Sequence, residues 1–367
     1  MSIIKSVPQI ETLETAGYQK VLKITEAESG LKALIAIHDS TLGPALGGIR
    51  IFPYADEEAA LRDVLRLSKG MTYKAALAGC GLGGGKSVII ADPKKGEKTP
   101  ELLEAFAIAV NSLSGDYICA EDVGCSTEDV AIVHKHTPYV VGLDHAMSSG
   151  DPSIFTAWGT FQGLLASWQF MTQGRELENV RVLVQGLGAV GEKLVEWLFW
   201  SGAKVIVSDI DQAKVEKIKK KFGLESVEPK AVYQVDCDIF APCAMGGIIN
   251  EEVIPHLKCQ LIAGCANNQL LEAEDDIRLK KRGILYAPDF VINAGGLINV
   301  SFEISEKGYH PHDARKAVSQ IPERLKAIYK IALEKKIGTQ EAAIYLAEER
   351  IKNLVDRRIS KPFFHHQ

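Results

Sequence analysis

The segment from residue 181 to residue 209 constrains the fold most, because strand and helix patterns alternate in quick succession. A buried-strand pattern from Arg181 to Gln185 leads directly into a Gly-x-Gly-x-x-Gly motif, and a helical pattern then runs to Gly202. Lys204 to Ser208 forms the next strand pattern, and Asp209 stands at its end. Such alternation predicts parallel strands joined by crossover helices, which is a doubly wound sheet.

The glycine motif in this position predicts a dinucleotide site. Glycines let a pyrophosphate approach the backbone at a helix N-terminus, where free amides and the helix dipole favour anions. Asp209, 23 residues after Gly186, would accept hydrogen bonds from the adenosine ribose. Its charge, with Asp211 nearby and no arginine in the segment, would repel a 2′-phosphate, so NAD is favoured over NADP. The motif residues expected at the cofactor are Gly186, Leu187, Gly188, Ala189, Val190 and Gly191.

A second cluster, from Lys69 to Ser87, places two lysines around a glycine-dense stretch. Lys74 and Lys86 stand 12 residues apart, with glycines at 79, 81, 83, 84 and 85 between them. Glycine permits positive φ and removes side-chain bulk, so we expect a turn on which a carboxylate or phosphate lies between two ammonium groups. A phosphate-binding P-loop is an alternative, weakened because Cys80 stands where that motif needs glycine. A structural turn with solvated lysines is another.

The remaining patterns indicate an α/β chain. We expect a short helix over residues 8–17, strands over 20–25 and 31–38, and an irregular segment over 40–48, where glycines and a proline disfavour a regular element. A later strand pattern, Tyr117 to Ala120, ends in Glu121 and Asp122. Ligands bind at strand ends in α/β sheets, so Asp122 is a candidate catalytic carboxylate, with an exposed acidic turn as the alternative.

Length and composition bound the class of protein. A chain of 367 residues suits two domains. The net charge of -5, from 42 basic and 47 acidic side chains, argues against nucleic acid as a partner. No apolar run approaches the roughly 20 residues that cross a bilayer, and the N-terminus lacks signal-peptide character, so we expect a cytoplasmic protein without membrane contact. The seven cysteines lack Cys-x-x-Cys spacing and predict free thiols, with no metal site.

Several motifs stand in the order and spacing of a known family. They are Leu42-Gly-Pro-Ala-Leu-Gly-Gly-Ile-Arg50, Lys69-Gly-Met-Thr-Tyr-Lys74, Gly83-Gly-Gly-Lys86, Ala120-Glu-Asp-Val-Gly124, Ala266-Asn-Asn-Gln269 and Asn293-Ala-Gly-Gly296. From Leu31 to about Arg350, the chain resembles the amino-acid dehydrogenases that act on glutamate, leucine, phenylalanine and valine, most of all the leucine branch. One departure is Gly191, where that branch often has alanine.

The resemblance implies two domains with a cleft between them. The first is an N-terminal α/β substrate domain over residues 1–145, to which the C-terminal helix, about 335–367, returns. The second is a Rossmann-type doubly wound NAD domain over residues 146–334. The resemblance also implies homo-oligomers, which are commonly octamers in the leucine branch.

The resemblance further implies a reaction, the reversible oxidative deamination of an L-amino acid by NAD and water to a 2-oxo acid, NADH and ammonium. Lys74 would hold the substrate carboxylate, helped by the backbone of Gly47 and Gly48. Lys86 would be the general base, and Asp122 would exchange protons with the substrate nitrogen. A lysine acts as a base only if its pKa is lowered, here by burial and by the ammonium of Lys74.

The resemblance also assigns the substrate pocket and further cofactor contacts. The side-chain pocket positions are all apolar: Leu46, Ala120, Leu297 and Val300. The glutamate branch has lysine in place of Leu46 and serine in place of Val300, so this chain is expected to accept leucine, valine and isoleucine. Phenylalanine or valine dehydrogenase activity is the alternative within the family, and a nucleotide-sensing relative without catalysis is a remote one. Additional residues expected at the cofactor are Thr156, Asn267 and Asn268.

Overall fold

The computed structural model describes residues 6–143 and 148–365. The chain folds into two compact units. Unit 1 contains the chain up to Gly150 together with Val300–Pro311 and the residues from Glu348 onward. Unit 2 contains Asp151–Asn299 and His312–Ala347.

Unit 1 is built on one six-stranded sheet. Its strands are β1 (Gln9–Thr12), β2 (Lys20–Glu26), β3 (Leu31–Asp39), β4 (Ala45–Phe52), β5 (Gly83–Ile90) and β6 (Tyr117–Glu121). They lie in the order β1-β2-β3-β5-β4-β6, and β4 runs parallel to both of its neighbours, while the other pairs are antiparallel. Its helices are α1 (Glu57–Ala78), α2 (Pro100–Ser112) and α3 (Thr127–His134).

The two faces of this sheet have different partners. One apolar cluster joins α1 to the sheet through residues such as Val64 and Val88. A larger cluster on the other face joins α2 and α3 to the sheet through residues such as Phe106, Val130 and Ile49. Because side chains alternate along a strand, each residue of β4, β5 and β6 faces either α1 or the α2–α3 side.

The predicted helix over residues 8–17 is wrong. Residues Gln9–Thr12 form β1, which pairs with β2 from Thr25 to Leu22 in antiparallel register. All four side chains of β1 are exposed, so the sequence carries no alternation of buried and exposed residues by which to recognise a strand. Backbone pairing with β2 decides the structure here, which is a common way for tertiary context to override local preference.

The predicted irregular segment over 40–48 and the predicted glycine turn before Lys86 are also partly wrong. Gly47 and Gly48 lie inside β4, and Gly83–Gly85 lie inside β5. These glycines serve close packing: a Cβ atom on Gly47 would lie 1.8 Å from the carbonyl oxygen of Gly85. A Cβ atom on Gly84 would lie 2.0 Å from the backbone nitrogen of Thr72 in α1. Glycine therefore allows α1 to contact the sheet directly beside Lys86.

We expect Gly84→Ala and Gly70→Ala to change stability in opposite directions. The Gly84 variant must push α1 away from β5, and overpacking of this kind costs about 1–3 kcal/mol or more of unfolding free energy. Gly70 is an exposed residue of α1, and a Cβ atom added there would meet nothing within 4 Å, so alanine should stabilise the helix by up to about 1 kcal/mol. Thermal and urea unfolding measure both effects, and equal stability of the two variants would contradict the packing explanation.

Unit 2 contains a sheet of six parallel strands. They are β7 (Arg181–Gln185), β8 (Lys204–Ser208), β9 (Glu225–Ser226), β10 (Ile239–Pro242), β11 (Leu261–Ile262) and β12 (Leu285–Tyr286). The spatial order β9-β8-β7-β10-β11-β12 is that of the doubly wound dinucleotide-binding fold, with its switch point between β7 and β10. The predicted Rossmann-type architecture is confirmed.

The helices after α3 complete the chain. They are α4 (Pro152–Thr172), α5 (Ala189–Trp200), α6 (Gln212–Phe222), α7 (Glu274–Lys281), α8 (Asp289–Ile292), α9 (Gly295–Ser301), α10 (Pro311–Val318), α11 (Ile321–Lys335) and α12 (Thr339–Lys352). Short 3-10 turns occur at Pro93–Lys95, Pro229–Gln234 and Ile254–His256. Among the described residues, no helix has both the length and the apolar character to cross a membrane.

The units differ from the predicted domain boundaries in where the chain returns to unit 1. It returns over Val300–Pro311 and again from Glu348, whereas a single return from about residue 335 was expected. The start of α12 is held within unit 2, because Asp276 Oδ2 accepts a hydrogen bond from the backbone nitrogen of Glu341 at 3.1 Å. Asp276 thus satisfies the open N-terminus of α12, as a capping residue does.

Candidate active site

Strand alternation gathers several predicted site residues on the α1 face of the unit 1 sheet. In β4, Leu46, Gly48 and Arg50 face the same side. The register places Leu46 beside Gly84 of β5 and Gly48 beside Ala120 of β6. Lys86, two residues after Gly84, therefore shares this face with the predicted pocket residues Leu46 and Ala120.

Lys86 and Asp122 form a largely buried ion pair on this face. Lys86 Nζ lies 2.8 Å from Asp122 Oδ2, and the two side chains are 6% and 22% exposed. The structure thus brings together the two residues predicted to be catalytic. Asp122 is a partly buried ion-pair partner and not the exposed acidic turn considered as an alternative.

Tight backbone geometry makes this approach possible. A Cβ atom on Gly48 would lie 2.6 Å from Asp122 Cβ and 3.1 Å from Lys86 Nζ. The turn that carries Asp122 is closed by a hydrogen bond from the nitrogen of Cys125 to the Asp122 carbonyl at 2.9 Å. Gly124 in that turn has φ +80 and lies against the carbonyl of Ile51, a conformation that favours glycine.

The electrostatic surroundings lower the pKa of both catalytic candidates. Burial lowers the pKa of Lys86, the charge of Asp122 opposes this, and the guanidinium of Arg50 lowers it further. Burial raises the pKa of Asp122, but the charges of Lys86 and Arg50 outweigh burial and hold that pKa below its usual value. The neutral form of Lys86 is therefore more accessible than that of an ordinary lysine, which general-base chemistry requires.

Sequence reasoning missed Arg50 and Asp63 as members of this site. Arg50 Nε donates to Asp122 Oδ2 at 3.0 Å, and Arg50 Nη1 lies 3.0 Å from Asp63 Oδ2. Asp63 also accepts hydrogen bonds from Tyr54 at 2.7 Å and from Arg66 at 2.9 Å. Arg50 is the last residue of one of the family-like motifs and lies two strand positions from Gly48, and these two features could have identified it from the sequence. No sequence feature identifies Asp63 on α1 as a site residue.

Lys74 lies on α1, which ends just before the glycine-dense stretch. It is half-buried and follows Thr72, the residue that packs on Gly84, by two positions. Its predicted contact with a substrate carboxylate stays a prediction, as does its effect on Lys86. Gly47, predicted to assist it through the backbone, accepts a hydrogen bond at its carbonyl from the hydroxyl of Tyr117 at 2.8 Å.

The glycine motif of unit 2 forms a tight strand-to-helix turn. Gly186 has φ +101, and its nitrogen donates to the carbonyl of Ser208 at 2.7 Å. A Cβ atom on Gly191 would lie 2.0 Å from the carbonyl oxygen of Gly186, so the first turn of α5 packs directly on the loop. Gly188 is the N-cap of α5 without a side-chain cap, and Gly188 and Ala189 are exposed. These open amides fit a bound pyrophosphate.

Asp209 both stabilises this loop and keeps acceptor capacity. Its Oδ2 accepts from the nitrogen of Leu187 at 2.6 Å, and its Oδ1 accepts from the nitrogen of Asp211 at 2.8 Å. Leu187 is a buried side chain whose amide is already used, so Gly188, Ala189 and Val190 are better placed to meet a ligand. Each carboxylate oxygen of Asp209 can accept a second hydrogen bond, as ribose binding requires.

The other predicted contacts lie near further strand ends and on α9. In unit 2, a Cβ atom added to Gly296 would lie 2.8 Å from the hydroxyl oxygen of Thr156, so these two residues are close neighbours. Asn267 Oδ1 accepts from Asn293 Nδ2 at 2.8 Å, and the nitrogen of Asn268 donates to Asp289. Leu297 and Val300 are three residues apart on α9 and so share one helix face; Leu297 is buried and Val300 half-buried.

All seven cysteines are free thiols, as predicted. Among the described residues, one local group could offer metal ligands: atoms of the exposed His310, His312 and Asp313 lie within 4.8 Å of one another. This group stands at the start of α10 and includes none of the predicted site residues. The expected absence of a metal stays a prediction.

Comparison with known proteins agrees with this geometry. Residues 19–139 match the Glu/Leu/Phe/Val dehydrogenase dimerisation domain, and residues 207–358 match the Glutamate/Leucine/Phenylalanine/Valine dehydrogenase domain. The chain is 47% identical to a leucine dehydrogenase of Geobacillus stearothermophilus, with 96% of each chain covered. It is 48% identical to an L-tryptophan dehydrogenase of Nostoc punctiforme, with 94% of this chain and 96% of that protein covered.

A solved structure agrees over nearly the whole chain. The crystal structure of L-tryptophan dehydrogenase from Nostoc punctiforme superposes with a TM-score of 0.81 at 47% identity, covering 92% of this chain and 97% of that one. The chain therefore belongs to the glutamate/leucine/phenylalanine/valine dehydrogenase family and is an amino-acid dehydrogenase.

Proposed function

We propose that the chain catalyses the NAD-dependent, reversible oxidative deamination of branched-chain aliphatic L-amino acids, with leucine preferred and valine and isoleucine accepted. The observation that carries the proposal is the buried pair of Lys86 and Asp122, 2.8 Å apart, on a sheet face shared with the apolar residues Leu46 and Ala120. A lysine of lowered pKa beside a carboxylate suits proton transfer to and from water and an amine.

The residues of unit 1 divide the proton chemistry among them. Bound NAD supplies the hydride acceptor for the substrate Cα. Neutral Lys86 accepts a proton from the water that attacks the imine carbon, and Asp122 exchanges protons with the substrate nitrogen. Lys74 pairs with the substrate carboxylate as a fixed positive charge, in a charge-assisted contact.

The substrate class rests on the apolar character of the four pocket positions Leu46, Ala120, Leu297 and Val300. Apolar side chains favour an aliphatic substrate and disfavour a second charge. An aromatic substrate is the second candidate, because a relative named L-tryptophan dehydrogenase is as similar as one named leucine dehydrogenase. Aliphatic and aromatic side chains are both apolar, so the two substrate classes are separated by the amino-acid panel described below.

The preference for NAD rests on Asp209 at the end of β8. A 2′-phosphate would meet this carboxylate and the nearby Asp211, so NADP should bind less well. We also propose a homo-oligomer, with an octamer as the specific expectation. The match of unit 1 residues to a family domain described as a dimerisation domain supports self-association.

The proposal is tested by following NADH formation with a panel of L-amino acids. We expect catalytic efficiency to be highest with leucine, within about tenfold to hundredfold for valine and isoleucine because small changes in an apolar pocket are worth ~1–3 kcal/mol, and lower with NADP in place of NAD. Higher efficiency with phenylalanine or tryptophan would transfer the assignment to the aromatic class. Absence of oxidation with every amino acid would overturn the proposal.

A further inference from the structure

The two cations that contact Asp122 meet the same carboxylate oxygen. Oδ2 receives Lys86 Nζ at 2.8 Å and Arg50 Nε at 3.0 Å. Within residues 6–143 and 148–365, no hydrogen bond to the other oxygen, Oδ1, accompanies these contacts. A carboxylate held at one oxygen by two charged donors is fixed in orientation while its other oxygen can still exchange a proton.

Arg50 is anchored on its opposite side by α1. Its Nη1 lies 3.0 Å from Asp63 Oδ2, and the side chains of Arg50 and Asp63 are 21% and 18% exposed. The hydroxyl of Tyr54 donates to the same oxygen of Asp63 at 2.7 Å. A continuous chain of charged contacts therefore runs from Asp63 on α1 through Arg50 on β4 to Asp122, shielded in part from solvent.

This arrangement answers a difficulty of using Lys86 as a base. When Lys86 loses its proton, Asp122 loses a positive partner in a largely buried place, and an unpaired buried carboxylate is costly. Arg50 cannot lose its own proton at ordinary pH. It therefore keeps Asp122 paired in both protonation states of Lys86.

We propose that Arg50 is a positioning residue of the proposed deamination site, on which this inference rests. Anchored by Asp63, it holds Oδ2 of Asp122 while Lys86 is neutral and leaves Oδ1 to exchange protons with the substrate nitrogen. Without Arg50, Lys86 would be the main cation on Asp122, and the two side chains would form a closed pair in which the lysine keeps its proton.

The pH dependence of turnover separates this role from a purely structural one. The charged groups that act on Lys86 are Asp122 after β6, Arg50 on β4 and Asp63 on α1, and Lys74 of α1 is the further cation predicted to act on it; its neighbour on β3 is the neutral Ala36. The positive charge of Arg50 lowers the pKa of Lys86, and Asp122 and Asp63 raise it. Removing the charge of Arg50 should therefore move the rising limb of the deamination pH profile to higher pH.

The experiment compares Arg50→Gln, Arg50→Lys and Asp63→Asn with wild type, using L-leucine and saturating NAD across neutral and alkaline pH. Arg50→Gln should lower kcat by about 10²-fold, the size of effect that misplacement of a reacting group produces. It should also move the rising limb of the pH profile to higher pH. Arg50→Lys should keep the limb nearer to wild type but lose part of kcat, because one ammonium cannot contact both carboxylates in the fork geometry of a guanidinium. Asp63→Asn should lower kcat by a smaller factor, because Arg50 loses its anchor, and should move the limb to lower pH, because the charge of Asp63 raises the pKa of Lys86.

Arg62→Gln is the matched control, because Arg62 is an exposed arginine of α1 paired with Glu58; its kcat and pH profile should equal those of wild type. An Arg50→Gln variant that folds, binds NADH and keeps both the wild-type limb and kcat within twofold would overturn the inference. If that variant does not fold, Asp63→Asn decides by the same two readouts. An inactive wild-type protein would overturn the proposed function together with this inference, whereas an active one with insensitive variants overturns the inference alone.

Discussion

Replacing Lys86 with alanine should lower turnover with L-leucine and NAD by ~10²–10⁴, the range expected when a general base is removed. Within the proposed catalytic pair, Lys86 is the amine that accepts a proton from water. Its side chain is only 6% exposed, so solvent has little access to take over this role. NADH binding should stay close to wild type, because the glycine motif and Asp209 belong to unit 2. Steady-state kinetics and NADH fluorescence titration measure the two effects.

The role of Lys86 as a base also predicts the direction in which turnover changes with pH. Lys86 must be neutral to act, and the neutral fraction rises as pH rises through its pKa, which burial lowers. Deamination by wild type should therefore increase with pH and level off below the range of an exposed lysine, while Lys86→Ala should lose this limb. Added small primary amines should restore part of the lost turnover.

Lys32→Ala is the control for Lys86→Ala, because Lys32 is an exposed lysine on β3 of the same sheet. It should match wild type in both turnover and pH profile. Retention of more than a tenth of wild-type turnover by Lys86→Ala would remove Lys86 from the role of base.

The fold of unit 2 was predictable because its sequence patterns are local. Strands β7 and β8 are short apolar runs, and the glycine motif lies at the tight turn that joins β7 to α5. Unit 1 was harder, because its glycines act through distant contacts. Gly84 is needed against Thr72 of α1, and Gly48 against Asp122, so what looked like flexible turns are strands under close packing.

The candidate site was predictable in its residue types and not in its network. Lys86 and Asp122 could be chosen from motif resemblance, and the structure places them in one ion pair. Arg50 and Asp63 could not be chosen in this way, because their importance comes from the strand alternation that turns Arg50 toward α1 and from the helix position of Asp63. Arg50 is a cation that lowers the pKa of Lys86, and the same effect expected of Lys74 stays a prediction.

Glutamate should be a substrate at least about 10³-fold poorer than leucine in kcat/KM. Leu46 is 3% exposed and Leu297 is 8% exposed, and the proposed pocket offers a distal carboxylate no partner among its four apolar residues. Burying an unpaired carboxylate costs several kcal/mol, and each ~1.4 kcal/mol corresponds to tenfold in rate. The comparison requires only wild-type protein, NAD and the two amino acids.

The reverse substitution gives the stronger test of the pocket. Leu46→Lys with Val300→Ser introduces the residue types of the glutamate branch. The ratio of kcat/KM for glutamate to kcat/KM for leucine should then rise by at least about tenfold, because even one charge-assisted hydrogen bond contributes ~1.5–3 kcal/mol. Leu46→Met is the matched control, because it changes shape without adding charge and should leave that ratio near wild type. Leu46 is buried on the α1 face, so a lysine there lowers stability, and the ratio is the proper readout because both substrates are measured on the same folded fraction. An unchanged ratio in a variant that still oxidises leucine would place the substrate side chain elsewhere, and the aliphatic assignment would lose its structural basis.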